Sequence, residues 1–150
     1  MHNRGRNWSQ HMERLATTVV EQLEPNATVM DVGCGGGEFL DALLRLQPTL
    51  NCVGIDPAAP NDASRWRSVQ RVFRVADIDT FQPDLIMLRH VVEHLDKPRS
   101  FLESIAAHCR RPTLLLVEVP NATPAIEAVR FADWLYEHCS HFRPTSLNAL

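Results

Sequence analysis

The sequence has no CxxC pair, no apolar leader and no long uninterrupted apolar run, and each of these absences removes a class of protein. Its four cysteines, Cys34, Cys52, Cys109 and Cys139, lie far apart. That spacing excludes a disulfide framework and predicts idle thiols in a reducing compartment. No stretch approaches the ~18–20 apolar residues of a membrane span. Met1 to Arg6 are polar and basic, and the residues after them are amphipathic rather than the continuous apolar core of a secretion signal. The expectation is a cytoplasmic protein with no membrane partner. Charge is nearly balanced: 15 Lys+Arg against 18 Asp+Glu leave a formal net charge of −3. A protein whose main task is neutralising a phosphate backbone carries a surplus of cations, so nucleic acid is disfavoured as a partner. The composition is sufficient for one core. With 150 residues, 45% of them hydrophobic, the chain is read as a single domain spanning residues 1–150.

Helical periodicity alternates with short apolar runs, the pattern of βαβ units in an α/β, doubly wound, mostly parallel sheet. Met12, Leu15, Ala16, Val19, Val20 and Leu23 recur at steps of three and four behind a candidate cap, Ser9, which predicts a helix over about 9–24 ending before Pro25. Ala27 to Val32 reads as a buried strand that runs into Gly33, Gly35, Gly36 and Gly37. A helix carrying Phe39, Leu40, Leu43, Leu44 and Leu46 comes next. Further strands are predicted at Leu50–Ile55, Val72–Val75, Asp84–Leu88 and Thr113–Val119, the last being the most apolar and therefore expected at the centre of the sheet, buried on both faces. Between the second and third strands a short helix is expected near Trp66. Pro98–Cys109 and the segment opening at Thr123-Pro124 read as helices, with Pro in a first turn where its missing N–H is harmless.

The segment Val29-Met30-Asp31-Val32-Gly33-Cys34-Gly35-Gly36-Gly37-Glu38-Phe39-Leu40 orders a strand, a glycine loop and a helix N-terminus. Such a loop lets a ligand approach the backbone, with helix N–H groups facing it. A dinucleotide GxGxxG counted from Gly33 or Gly35 needs glycine at 38 or 40, where this chain has Glu38 and Leu40, so NAD is disfavoured. No Gly-Lys-Ser/Thr follows, so a phosphate-binding P-loop is excluded. Asp56, about twenty residues on, falls where a carboxylate accepts both hydroxyls of a ribose. Asp77, read as following a third strand, is placed to accept from an exocyclic amine.

Four segments, Asp31 to Gly37, Gly54 to Pro57, Ala76 to Asp79 and Leu88 to Pro98, together resemble the class I S-adenosylmethionine-dependent methyltransferases, small-molecule enzymes in particular. The resemblance implies a Rossmann-like fold with S-adenosylmethionine as cofactor. Gly33, Gly35 and Gly37 would line its methionine part, Asp31 would organise the loop and the amino group, and Asp56 would hold the ribose. Asp77 and Ile78 would take the adenine, and His90 would begin the segment closing over the cofactor. The family sheet has seven strands and five are counted here, so the last two are expected to be missing. Independently of family, a sulfonium cation without pyrophosphate suits backbone amides and carboxylates better than it suits Arg or Lys.

His90-Val91-Val92-Glu93-His94 also fits an HxxEH zinc-hydrolase helix, but a strand leads directly in and Asp96-Lys97-Pro98 breaks the pattern, so no metal is expected there. His138-Cys139-Ser140-His141 lacks a fourth ligand at familiar spacing and is not read as a metal site either. The run from Asp133 to Phe142 has some resemblance to sugar C-methyltransferases, which place a Tyr/Glu/His cluster here. On that resemblance His138 is the expected general base, with Tyr136 orienting a small-molecule acceptor, Glu137 fixing the imidazole tautomer and His90 as the second choice. The alternative is a non-catalytic cofactor-binding domain. An exposed fifth strand would invite pairing with another copy, as in a homodimer.

Overall fold

The computed structural model describes residues 6–129 and 138–150. The elements in chain order are α1 (Arg6–Val20), β1 (Thr28–Val32), α2 (Glu38–Leu46), β2 (Asn51–Ile55), β3 (Arg67–Val69), α3 (Ala76–Phe81), β4 (Leu85–Arg89), α4 (Pro98–His108), β5 (Leu114–Glu118), α5 (Thr123–Glu127) and α6 (Pro144–Leu147). A single turn of 3₁₀ helix at Val92–His94 follows β4.

The five strands form one parallel sheet in the order β3-β2-β1-β4-β5. Alternation along the strands sorts side chains to two faces. Val29, Leu85 and Met87 join Ala16, Phe39, Leu40 and Leu43 in a core under α1 and α2. Met30, Val32, Ile86 and Leu88 join Ile78, Ile105 and Val92 in a second core under α3 and α4. Helices on both faces make the sheet doubly wound. Because β1 is followed by β2 on one side and paired with β4 on the other, the chain reverses direction across the sheet at the carboxyl ends of β1 and β4. A crevice opens at such a reversal, and ligands bind there.

Several elements differ from the sequence expectation. Helix α1 begins at Arg6, a turn before Ser9, and Ser9 lies inside it; Trp8 in that added turn packs its ring 5.7 Å from those of His11 and His90. The helix ends at Val20, where Gln22 and Leu23 tighten onto the carbonyls of Val19 and Val20 and Asn26 takes φ 66°. The third strand is Arg67–Val69 rather than Val72–Val75. Val72 is 70% exposed, and the Arg74 N–H that a ladder would need is donated instead to Asp77. No helix forms near Trp66; its buried ring packs over Gly37 and Gly54. Strand β5 lies at the edge of the five-stranded sheet, not at its centre, and Leu114 and Leu115 are 49% and 44% exposed. Apolar composition misleads here, because both a central strand and an exposed edge strand can read as a continuous apolar run.

Candidate functional site

A cleft of about 1060 Å³ runs along the carboxyl ends of β1, β2 and β4, lined among others by Trp8, Asp31, Gly35, Asp56, Arg89 and His90. The glycine loop shapes it. Gly33, Gly35 and Gly37 all have positive φ, at 76°, 54° and 82°, conformations that cost other residues strain. Their surroundings differ. A Cβ at Gly33 would meet the Val91 side chain at 2.6 Å, and one at Gly37 would meet the Trp66 ring at 2.1 Å. At Gly35 nothing lies within 4 Å. Packing therefore explains two of the glycines, while the space above Gly35 is open to the cleft.

The carboxylates have unequal tasks. Asp56 is half-buried; its Oδ2 accepts from the Gly35 N–H at 3.0 Å and its Oδ1 from Ala58 N–H at 2.6 Å, so it ties the loop to the end of β2 and each oxygen keeps a further lone pair. Asp31 is 3% exposed, and burial pushes its carboxyl up to about 7, with Asp56 adding to the rise and Arg89 opposing it. A carboxyl held in that way is stabilised by an incoming cation.

Asp77 and Ile78 come out differently. Asp77 stands in the first turn of α3, not after a strand, and its oxygens accept from both terminal nitrogens of Arg71 at 2.6 and 2.9 Å and from the Arg74 N–H at 2.8 Å. The Arg71 guanidinium, against the penalty of burial, holds this carboxyl below the usual range. Ile78 is buried in the second core and its N–H donates to the Val75 carbonyl. Both residues brace the loop between β3 and α3.

His90 follows β4 in the left-handed region, φ 55°, with its N–H on the Glu118 carbonyl at 2.8 Å. It links two regions. On one side it lines the cleft; on the other its Nδ1 lies 3.5 Å from Glu93, which is 1% exposed. Glu93 lines a second cavity of about 190 Å³ with Pro120, Asn121, Ala122, His138 and His141. The His138 ring sits edge-on to His94, 4.8 Å between centroids, and 5.9 Å from His141. Burial, with the charge of His94 added, lowers the His138 imidazole below its usual range against the pull of Glu93. His138 and His90, expected as alternative bases, both lie near Glu93. Tyr136 and Glu137 lie outside the described residues.

The family of methyltransferase domains matches over residues 1–150, the whole chain. The chain belongs to the S-adenosylmethionine-dependent methyltransferases. Among its relatives in this family is the ubiquinone biosynthesis O-methyltransferase of Xanthomonas campestris pv. campestris, 32% identical over 114 residues covering 70% of this chain and 48% of the relative. Another is the trans-aconitate 2-methyltransferase of Azoarcus sp., 29% identical over 104 residues, 66% of this chain and 41% of the relative. The chain thus spans about half the length of the curated relatives it matches. A methyltransferase from Archaeoglobus fulgidus has the same fold, with a TM-score of 0.65 at 21% identity over 93% of this chain and 65% of that one.

For a methyltransferase cleft, the residues that sequence reasoning missed are Trp8, His11 and Arg89, which gather with Glu118. The Glu118 carboxylate, at the end of β5, accepts from Arg89 Nε at 2.6 Å and lies 2.6 Å from His11 Nε2, while the Arg89 guanidinium stacks 3.9 Å above the Phe39 ring. Burial pushes the Glu118 carboxyl up, but the His11 hydrogen bond and Arg89 outweigh it and hold it low. This group ties α1 across the cleft to β4 and β5. The available signal was Trp8, four and seven residues ahead of Met12 and Leu15 and so in line with the apolar stripe of α1.

Among the described residues no helix is long and apolar enough to cross a membrane.

Proposed function

We propose that the chain methylates an oxygen of a small-molecule acceptor, with S-adenosylmethionine in the large cleft and the acceptor beside His90 at the Glu93 cavity. The observation that carries this reading is the open space above Gly35 next to a buried Asp31 carboxyl pushed up to about 7. The site would accommodate a cationic ligand that approaches the backbone closely. When bound, the cofactor supplies a methyl group on a sulfonium, and the C–S electron pair leaves with sulfur as S-adenosylhomocysteine. The protein's work is placement. Asp31 would face the cofactor's ammonium group, Asp56 would take the ribose hydroxyls with the lone pairs left by Gly35 and Ala58, and the Gly33–Gly37 loop would follow the methionine part. Asp77 and Ile78, whose polar groups are engaged, would border the adenine by fixing the loop beside it.

On the acceptor side, positioning of the oxygen in line with the methyl and exclusion of water carry most of the acceleration. An acceptor hydroxyl must also give up a proton as its bond to carbon forms. His138 is proposed as the base, with Tyr136 orienting the acceptor, Glu137 fixing the imidazole and His90 as the alternative base. The relatives named as an O-methyltransferase and a trans-aconitate methyltransferase support oxygen and a small molecule. General-base help is typically worth ~10²–10⁴-fold. His138→Ala is therefore expected to lower turnover by at least about tenfold with S-adenosylhomocysteine affinity within about twofold, measured by steady-state assay and calorimetry. Unchanged turnover would make His138 a packing residue. Binding without turnover on any acceptor would favour a cofactor-binding domain instead.

The same reading includes a cytoplasmic location, supported by the free cysteines, and a homodimer formed along β5, supported by exposed Leu114 and Leu115.

A further inference from the structure

Glu93 is the anomaly of the acceptor cavity. It is 1% exposed, and neither carboxyl oxygen accepts a hydrogen bond; His90 Nδ1 lies 3.5 Å from Oε1. A buried carboxyl left in this state is costly, and a native structure that retains one has a use for it. Around it the fold gathers imidazoles from two distant segments. One ligand atom each from Glu93, His94 and His138 lie within 4.8 Å of one another. The first two come from the 3₁₀ turn after β4. The third comes from a segment more than forty residues later, docked there by the Ser140 N–H on the Glu93 carbonyl at 3.0 Å.

We infer that Glu93, His94 and His138 form a binding site for one divalent transition-metal ion of the Zn²⁺ type, with its open position toward the acceptor cavity. The donor set selects the ion. Two imidazoles and one carboxylate suit Zn²⁺ and its neighbours, whereas Mg²⁺ prefers an all-oxygen octahedron. Around tetrahedral zinc the donors stand roughly 3.3 Å apart, so the three side chains need to close by at most about 1.5 Å, within reach of rotamer adjustment. Three protein ligands and an open fourth position are the arrangement of a catalytic rather than a structural site. Two of the three, Glu93 and His138, line the cavity directly. Local sequence argues against a metal because His90, Glu93 and His94 do not share a helix. That exclusion still holds for a zinc-hydrolase helix, since β4 and the 3₁₀ turn replace it. The set proposed here is a different one, which His138 completes from a distant segment.

The inference rests on the cavity being the acceptor site. In a loaded site, a coordinated acceptor hydroxyl would lose its proton more readily, taking over the task given above to the His138 imidazole.

The test is zinc uptake by the whole chain after dialysis against a chelator, read by competition with a chromogenic chelator and by elemental analysis, with Co²⁺ absorption reporting geometry. One equivalent of Zn²⁺ per chain is expected, with no Mg²⁺ uptake at the same concentration. Exposed His94 can be changed without disturbing the core, and His94→Ala should weaken zinc by at least about a hundredfold. Glu93→Gln should do the same. Cys139, exposed beside His138, is the control, and Cys139→Ser should leave affinity within about threefold. Absence of zinc uptake, preference for Mg²⁺, or uptake lost with Cys139→Ser and kept with His94→Ala would overturn the site. Zinc failure with cofactor binding and a His138-dependent rate leaves the methyltransferase reading standing. Zinc uptake without methyl transfer leaves the site standing and removes that reading.

Discussion

Asp31→Asn is expected to make the ligand-free protein more stable by about 1–3 kcal/mol at about pH 8 while weakening cofactor binding by at least about thirtyfold. Opposite signs are the point. The Asp31 carboxyl rises from an ordinary 3.8 to about 7 because it is buried, so in the empty cleft its ionised form is an unfavourable state that the unfolded chain does not suffer. A carboxyl with a raised folded-state value contributes stability that is complete below about pH 4 and lost as pH rises through about 7. Asparagine removes that loss, so its advantage should be largest at about pH 8 and should vanish toward pH 4. Its neutral amide lacks the full compensation of a hydrogen-bond partner, which keeps the gain below the ~1.4 kcal/mol per pH unit that the shift alone would give. A cationic ligand reverses the balance, since it stabilises the ionised carboxylate and not the amide. Wild-type affinity for the cofactor should therefore fall as pH drops from about 8 to about 6, and that of the variant should stay flat. Denaturant unfolding and calorimetry at the two pH values measure all four quantities; a variant that is destabilised, or that binds as wild type, contradicts the role given to Asp31.

Alanine at Gly35 and alanine at Gly37 should fail in different ways, although the two positions are two residues apart and both have positive φ. At Gly37 the new Cβ would lie 2.1 Å from the Trp66 ring, which is buried and packed against Gly54 as well. Overpacking adds to the strain of φ 82°, and Gly37→Ala should cost about 3–5 kcal/mol of stability. At Gly35 the new methyl enters open space, so only the backbone strain remains, about 1–2 kcal/mol. The same methyl would occupy ligand room, and cofactor affinity should drop at least about tenfold. Urea unfolding and cofactor titration of both variants measure the contrast. Equal losses of stability would mean that the space above Gly35 is not a ligand's.

The path from Asp31 to Asp56 was legible because it is local. A strand, a glycine loop and a helix start follow one another within a dozen residues, and Asp56 follows the next strand, so periodicity and spacing place them without knowledge of tertiary contacts. The β3 region was not. Val72 to Val75 reads as a strand, but Asp77 claims the Arg74 N–H and the Arg71 guanidinium, a side-chain choice invisible to hydrophobic patterning. Strand β5 was found and misplaced, since its apolar run does not say how many neighbours it has. His138 was singled out from its surroundings in sequence, yet its approach to His94 and Glu93 depends on the return of the chain along Asn121 and Phe142, which form an isolated parallel bridge. The His11–Glu118 pair spans 107 residues, and nothing local announces such a contact.

The central claim, a cleft built for S-adenosylmethionine, is tested most directly by thermal unfolding of the wild-type chain with S-adenosylhomocysteine and, separately, with NAD. At a ligand concentration about a hundredfold above its dissociation constant, S-adenosylhomocysteine should add ~2.7 kcal/mol of stability and raise the Tm, and NAD should leave it unchanged. Stabilisation by NAD, or none by S-adenosylhomocysteine at any concentration up to saturation of the assay, would contradict it.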